Sequence, residues 1–179
     1  VSLHGGPGMG KSTVMQAWLD ALVARGVWVL RGRCYERDAT PYQAMDEVLV
    51  QIAAELERTP DGGPALSSQQ VAALARAFPQ VAYALGRGAD GAVSHDLVGA
   101  RQAAYAALAE VVAALARGRR VVIAIDDLQW GDADSAELLE RLSSGVELLA
   151  LVAYRTDERD TSAFLRAFMG RSRAARAYR

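Results

Sequence analysis

Residues 3–14 read LHGGPGMGKSTV. An apolar stretch, residues 1–4, enters a glycine-rich turn, residues 5–10. Residues 11–25 follow, where Val14, Trp18 and Leu22 recur at helical spacing with Met15 and Leu19 beside them. Gly26 is placed to end that helix as the residue just past its cap. The turn fits G-x-x-x-x-G-K-[ST], with Gly5, Gly10, Lys11 and Ser12 at the fixed positions. Glycines let the backbone curl so that its N–H groups face inward, and the next helix aims its N-terminus at the same point. Strand, ring of amides and helix end together make a cradle for phosphate.

Lys11 is the one lysine among 20 basic residues; every other basic position is arginine. A guanidinium is broad, planar and suited to bidentate recognition, whereas an ammonium is a compact charge on a flexible stem. A narrow phosphate cradle calls for the second, which gives a local reason for the exception. Lys11 is expected to reach the β- and γ-phosphates of a nucleotide and Ser12 to ligate Mg²⁺ through its hydroxyl. The wrapping loop is Gly5, Gly6, Pro7, Gly8, Met9, Gly10, Lys11, Ser12 and Thr13.

Further along, residues 27–30 read as a buried strand, and a helix is expected from about residue 41, with Pro41 near its first turn. Residues 59–66 and 86–95 read as loops, and Ser67 or Ser68 as the cap of a helix reaching about residue 78. An alanine-rich helix spans about residues 96–117, another about 133–144, and the tail from residue 162 is helical and basic. Residues 121–125 and 146–155 are strands that are apolar along their length, hence covered on both faces. Strands alternating with helices predict an α/β fold, a mostly parallel sheet flanked by helices with a helical insertion over about 41–117; with the phosphate loop this resembles the three-layer sandwich of P-loop NTPases.

The strand VVIAI ends in Asp126 and Asp127. A carboxylate at the end of a buried strand beside a phosphate loop can hold Mg²⁺, the role expected of Asp126. Asp127 is then placed to orient or deprotonate an attacking water. Asp132 or Asp134 is expected to cap the next helix, and Trp130 to be a packing residue or partner contact. Arg155 follows the last strand. If residues 148–154 lie between the loop strand and the acid strand, Arg155 emerges beside the γ-phosphate; otherwise it is a surface arginine paired with Asp157 or Glu158.

The blocks GGPGMGKST, GRCYERDATPYQAMDEVL, IDDLQWGDADS and VAYRTDE resemble the ATPase modules of the STAND class, within the wider AAA+ relatives. In that class such modules sit inside bacterial multidomain regulators, some joined to serine/threonine kinase, nucleotide cyclase or helix-turn-helix domains. The resemblance implies ATP and Mg²⁺ as ligands. It implies Lys11 and Ser12 on phosphates and metal, Asp126 as the metal acid, Asp127 as the catalytic acid and Arg155 as the γ-phosphate sensor. Asp127 in place of glutamate, and the lack of any asparagine, favour the signalling class over ring motors. The chain is expected to be a single ATPase domain, residues 1–179, cut from a longer protein. It would lack the upstream adenine-binding segment and the downstream lid or winged helix.

Formal net charge is −1, so nothing broad points to nucleic acid. No apolar run approaches the roughly 18 residues of a membrane helix. Cys34 is the single cysteine, which excludes an internal disulfide and suits a reducing cytoplasm; it is expected to be a buried small side chain. Expected partners are ATP or ADP, neighbouring domains of the same chain and other copies. Four functions compete: a slowly hydrolysing nucleotide switch, an origin-recognition or loader type AAA+ module acting on DNA, a small-molecule kinase, and a binding-only module.

Overall fold

The structure is a computed structural model that describes residues 1–36, 40–59, 61–86 and 97–177. Four strands form one sheet: β1 (Ser2–Gly5), β2 (Trp28–Arg33), β3 (Val121–Asp126) and β4 (Leu148–Arg155). All pairs are parallel and the order is β1-β4-β3-β2. The last strand in sequence is thus inserted between the first and third, which brings Arg155 into register with Gly5. Parallel neighbours need long crossovers, and here helices supply them: α1 (Lys11–Val23), α2 (Asp46–Arg58), α3 (Ser68–Ala77), α4 (Pro79–Ala84), α5 (Leu97–Ala116) and α6 (Ala133–Gly145). A last helix, α7 (Ala163–Ala177), follows β4. The expected α/β architecture is what the chain adopts. No helix among the described residues is long and apolar enough to cross a membrane.

The two faces of the sheet are covered unequally. On one, Met15 and Leu19 of α1 pack on Val122, Ala124, Leu151 and Ala153. On the other, Leu30, Ile123, Ile125, Val152 and Tyr154 join a larger core built with α2, α5 and α6. The small residues Ala124 and Ala153 receive Met15 and Leu19, and this sets the rotation of α1. Val14 and Trp18, two of the three residues read as its repeating apolar stripe, are therefore turned outward, 59% and 40% exposed.

Several boundaries differ from expectation. Strand β2 runs three residues past residue 30, because its backbone keeps pairing with β3 as far as Arg33 opposite Asp126. As an edge strand it has outward backbone groups, and Gln51 of α2 both accepts from the Arg31 N–H and donates to the Arg31 carbonyl. Gly32 permits this packing, since a Cβ there would lie 2.9 Å from the Ala44 carbonyl oxygen. The helix expected near Pro41 begins only at Asp46, after a 3-10 turn at Gln43–Met45. Tyr42 is left-handed, with φ 66°, and cannot continue a helix. Its N–H is taken instead by the Asp132 carboxylate, 3.2 Å away. Asp132, not Asp134, caps α6 through the Ser135 N–H at 2.8 Å.

Other expectations hold. Ser67 caps α3 in a reciprocal box with Gln70. Gly26, with φ 78°, closes α1 by the paired bonds Gly26 N–H to Val23 and Val27 N–H to Leu22. Cys34 is fully buried, and burial together with the acids at Asp132, Asp127, Asp126 and Glu47 pushes its thiol upward, away from reactivity. Trp130 is partly buried against the main core. Most of the 86–95 loop, and the start of the helix expected at Asp96, lie outside the described residues.

Candidate active site

The loop after β1 turns on two glycines, Gly8 at φ 74° and Gly10 at φ 76°, conformations that cost a side-chain-bearing residue about 1–2 kcal/mol. A Cβ on either would meet nothing within 4 Å, so the conformation, not crowding, is what calls for glycine. Gly10 leads directly into α1, whose first turn carries Lys11, Ser12 and Thr13. The Lys11 ammonium turns back over the loop and donates to the carbonyls of Gly6 at 2.8 Å and Gly5 at 3.1 Å. The exposed Met9 folds over the same backbone, its sulfur 3.1 Å from the Gly6 nitrogen. One compact charge, a helix N-terminus and a glycine-rich loop therefore converge, the set an anionic phosphate requires.

Asp126 closes β3 on the same face as α1. It lines, with Ser12, a cleft of about 670 Å³ between α1 and the ends of β2 and β3. A serine hydroxyl and a carboxylate are hard oxygen donors that suit Mg²⁺. Among the described residues no three or more histidine, cysteine, aspartate or glutamate side chains stand together as a metal cage.

The chain then turns sharply. Asp127 is left-handed, φ 52° and ψ 37°, its N–H bonded to the Asp126 carboxylate at 2.9 Å. This sets its half-buried carboxylate at the strand end, where two side chains hold it. Arg33 donates to Oδ2 through Nε at 3.0 Å and Nη2 at 2.8 Å. Gln129, in the 3-10 turn Leu128–Trp130, donates to Oδ1 at 3.3 Å. Arg33 is held further in its charged form by this contact.

Arg155 ends β4 beside Gly5. Its guanidinium pairs with Asp157 at 3.1 Å and with Glu158 at 2.8 Å, the surface arrangement weighed from sequence. The Asp157 carboxyl is held below the usual range, first by its hydrogen bond from Arg155 and least by the Lys11 charge. Among the described residues nothing accepts from the buried Arg155 Nε. The backbone thus lies at the loop, while the side chain is occupied by two acids of the following turn.

All the residues singled out from sequence gather at the C-terminal edge of one parallel sheet, the edge where open α/β sheets place ligands. Lys11, Ser12 and the loop come from β1, Asp126 and Asp127 from β3, and Arg155 from the strand between them. Two further members were not read from sequence. Arg33 was missed because the strand carrying it extends further than its apolar residues do. Gln129 was missed because nothing marks a buried glutamine as part of a site until its two partners are known.

The family model described as AAA ATPase domain matches residues 1–153, which takes in the loop, both acids and Gln129 and stops just before Arg155. No curated protein matches the chain, and no solved structure does. With a match over well more than half its length, seated on this loop and this sheet, the chain belongs to the AAA ATPase domain family.

Proposed function

We propose that the chain is an ATP-binding, slowly hydrolysing switch of the STAND kind, working in the cytoplasm within a signalling regulator. The observation that supports this best is the meeting of three strand ends: the loop after β1, Arg155 in register with Gly5, and the two acids after β3. In this reading Lys11 leaves the Gly5 and Gly6 carbonyls to meet the β- and γ-phosphates, and the loop amides hold the rest. Ser12 and Asp126 hold Mg²⁺, which when bound offsets charge on the phosphates. Asp127 accepts a proton from the water whose oxygen attacks the γ-phosphorus, as the bond to the β–γ bridging oxygen breaks. Arg155 stabilises charge on the transferred group.

A switch needs contacts that differ between two nucleotide states. Arg155 offers one: its guanidinium can stay with Asp157 and Glu158 or exchange them for the γ-phosphate. The partners affected would be adjoining domains or other copies. Hydrogen exchange over residues 155–162 tests this, with Mg²⁺ and either ATP or ADP. Slower exchange with ATP is expected; identical protection in the two states would sink the switch reading.

The arginine-rich end of the chain, five arginines and no acid from Arg166 on, favours the DNA-acting alternative. That reading requires duplex affinity that falls steeply with salt. Binding that is absent at low salt rules it out.

A further inference from the structure

We propose that Gln129 is a positioning residue that ties the carboxylate of Asp127 to the backbone at the end of β4, so that the base and the Arg155 strand are set as one unit. This rests on the reading of Asp127 as the base.

The side chain of Gln129 spans the two segments. Its amide nitrogen donates to Asp127 Oδ1 at 3.3 Å, and its carbonyl oxygen accepts from the Arg155 N–H at 3.1 Å. Reversing the amide would set oxygen against carboxylate and nitrogen against N–H, so only one orientation satisfies both neighbours. The residue is 5% exposed. Burying an amide is costly unless it is bonded, and an apolar side chain of similar size would fill the same space without that cost. What the glutamine adds is this pair of bonds.

The turn that carries it is fixed from behind. Ser162, before α7, donates to the Leu128 carbonyl at 3.2 Å, and the Phe164 N–H donates to the Gly131 carbonyl at 3.1 Å. Gly131 lies so close to α7 that a Cβ would sit 3.1 Å from Phe164 Cβ. A turn held in this way gives Gln129 a fixed base, from which its amide holds the β4 end through the Arg155 N–H and the Asp127 carboxylate through Oδ1. The other carboxylate oxygen is held separately, by Arg33. Among the described residues, Arg33 of β2, the buried Cys34 thiol after it and Arg155 of β4 interact electrostatically with Asp127, and the Asp126 carboxylate accepts from its N–H.

The test is single-turnover hydrolysis, with the chain in excess over Mg²⁺-ATP, together with ATP affinity. Four proteins are compared: wild type, Gln129→Leu, Gln129→Glu and Asp127→Asn. Gln129→Leu should lower the turnover rate about tenfold, a fraction of what a whole general base supplies, with ATP affinity unchanged within about twofold. Gln129→Glu keeps the acceptor for the Arg155 N–H and replaces the donor by a carboxylate facing Asp127. Its turnover rate should fall at least as far as that of Gln129→Leu, again with ATP affinity unchanged within about twofold, because the new carboxylate repels the group that the amide held.

Wild-type rates in both Gln129 variants beside a slow Asp127→Asn would overturn the role of Gln129 and leave Asp127 as base. If Gln129→Leu loses ATP affinity or fold, Gln129→Glu decides alone, and a wild-type turnover rate in that variant overturns the proposal. An Asp127→Asn variant as fast as wild type, or a wild type without turnover, removes the underlying reading and this inference with it.

Discussion

Arg33 and Asp127 are joined across the ends of adjacent parallel strands, two guanidinium nitrogens on one carboxylate oxygen at 3.0 and 2.8 Å. The pair engages the side chain that the proposed hydrolysis needs as a base. Arg33 is more than half exposed, so the contact is worth about 0.2–1 kcal/mol. Releasing it corresponds to a turnover rise of roughly 1.4- to 5-fold. Arg33→Gln should therefore hydrolyse ATP faster with its affinity little changed, as measured by steady-state phosphate release. A rate reduced by more than tenfold would show that Arg33 assists the reaction instead.

Lys11 sits within hydrogen-bond reach of two loop carbonyls, Gly5 and Gly6. A guanidinium is too broad to occupy that point and keep the loop closed. Lys11→Arg should lose at least about tenfold in ATP affinity by calorimetry, since a charge-assisted phosphate contact contributes about 1.5–3 kcal/mol. Its thermal midpoint without nucleotide should stay that of wild type. An arginine variant that binds ATP normally would remove the reason given for the single lysine.

Gly32 is tight for space rather than strained. A Cβ would lie 2.9 Å from the Ala44 carbonyl oxygen and 3.3 Å from Val48 Cγ2. Backbone must move to admit it. Gly32→Ala should cost about 2 kcal/mol in urea unfolding. It should also displace Arg33, so ATP turnover changes as well. Unchanged stability would mean that the strand end has more freedom than its packing suggests.

Glu55 of α2 accepts from Arg119 at 2.9 Å and from Arg58 at 2.8 Å, and the hydrogen bond from Arg119 is the main reason its carboxyl is held below the usual range. A carboxyl lowered on folding adds stability above its unfolded value, about 4.3, and loses it as pH falls through the lower folded value. Glu55→Gln should destabilise by about 1 kcal/mol at pH 7. The difference should shrink below about pH 4 and vanish in stronger acid. Urea midpoints at both ends of that range check it. A constant gap across pH would assign the effect to packing.

The architecture was legible because it is written in residues whose pattern has one use. The glycine positions around Lys11, the all-apolar run 121–125 and the acids that end it define a loop, a strand and their common edge. The place of β4 between β1 and β3 was posed from sequence only as a condition, and the strand order and the register of Gly5 with Arg155 fulfil it. What was not legible depends on tertiary contacts. Strand β2 outlasts its apolar residues because β3 pairs with it and Gln51 satisfies its outer edge. The rotation of α1 is set by Ala124 and Ala153 beneath it, which no periodicity within the helix reveals. Tyr42 delays α2 because Asp132, 90 residues away in sequence, takes its N–H. Gln129 reads as a neutral turn residue until the backbone of β4 arrives against it.

The central claim is that this sheet edge binds ATP with Mg²⁺ and that Asp127 turns it over. The most direct measurement is ATP binding and single-turnover hydrolysis, with and without Mg²⁺, for wild type, Lys11→Ala and Asp127→Asn. The account predicts Mg²⁺-dependent binding and slow turnover in wild type. Lys11→Ala should lose binding by about 100-fold or more, with the removed charge contact contributing up to about 3 kcal/mol. Asp127→Asn should bind as wild type and hydrolyse at least about 100-fold more slowly. Wild-type protein that binds no ATP, or an Asp127→Asn variant with wild-type turnover, would contradict it.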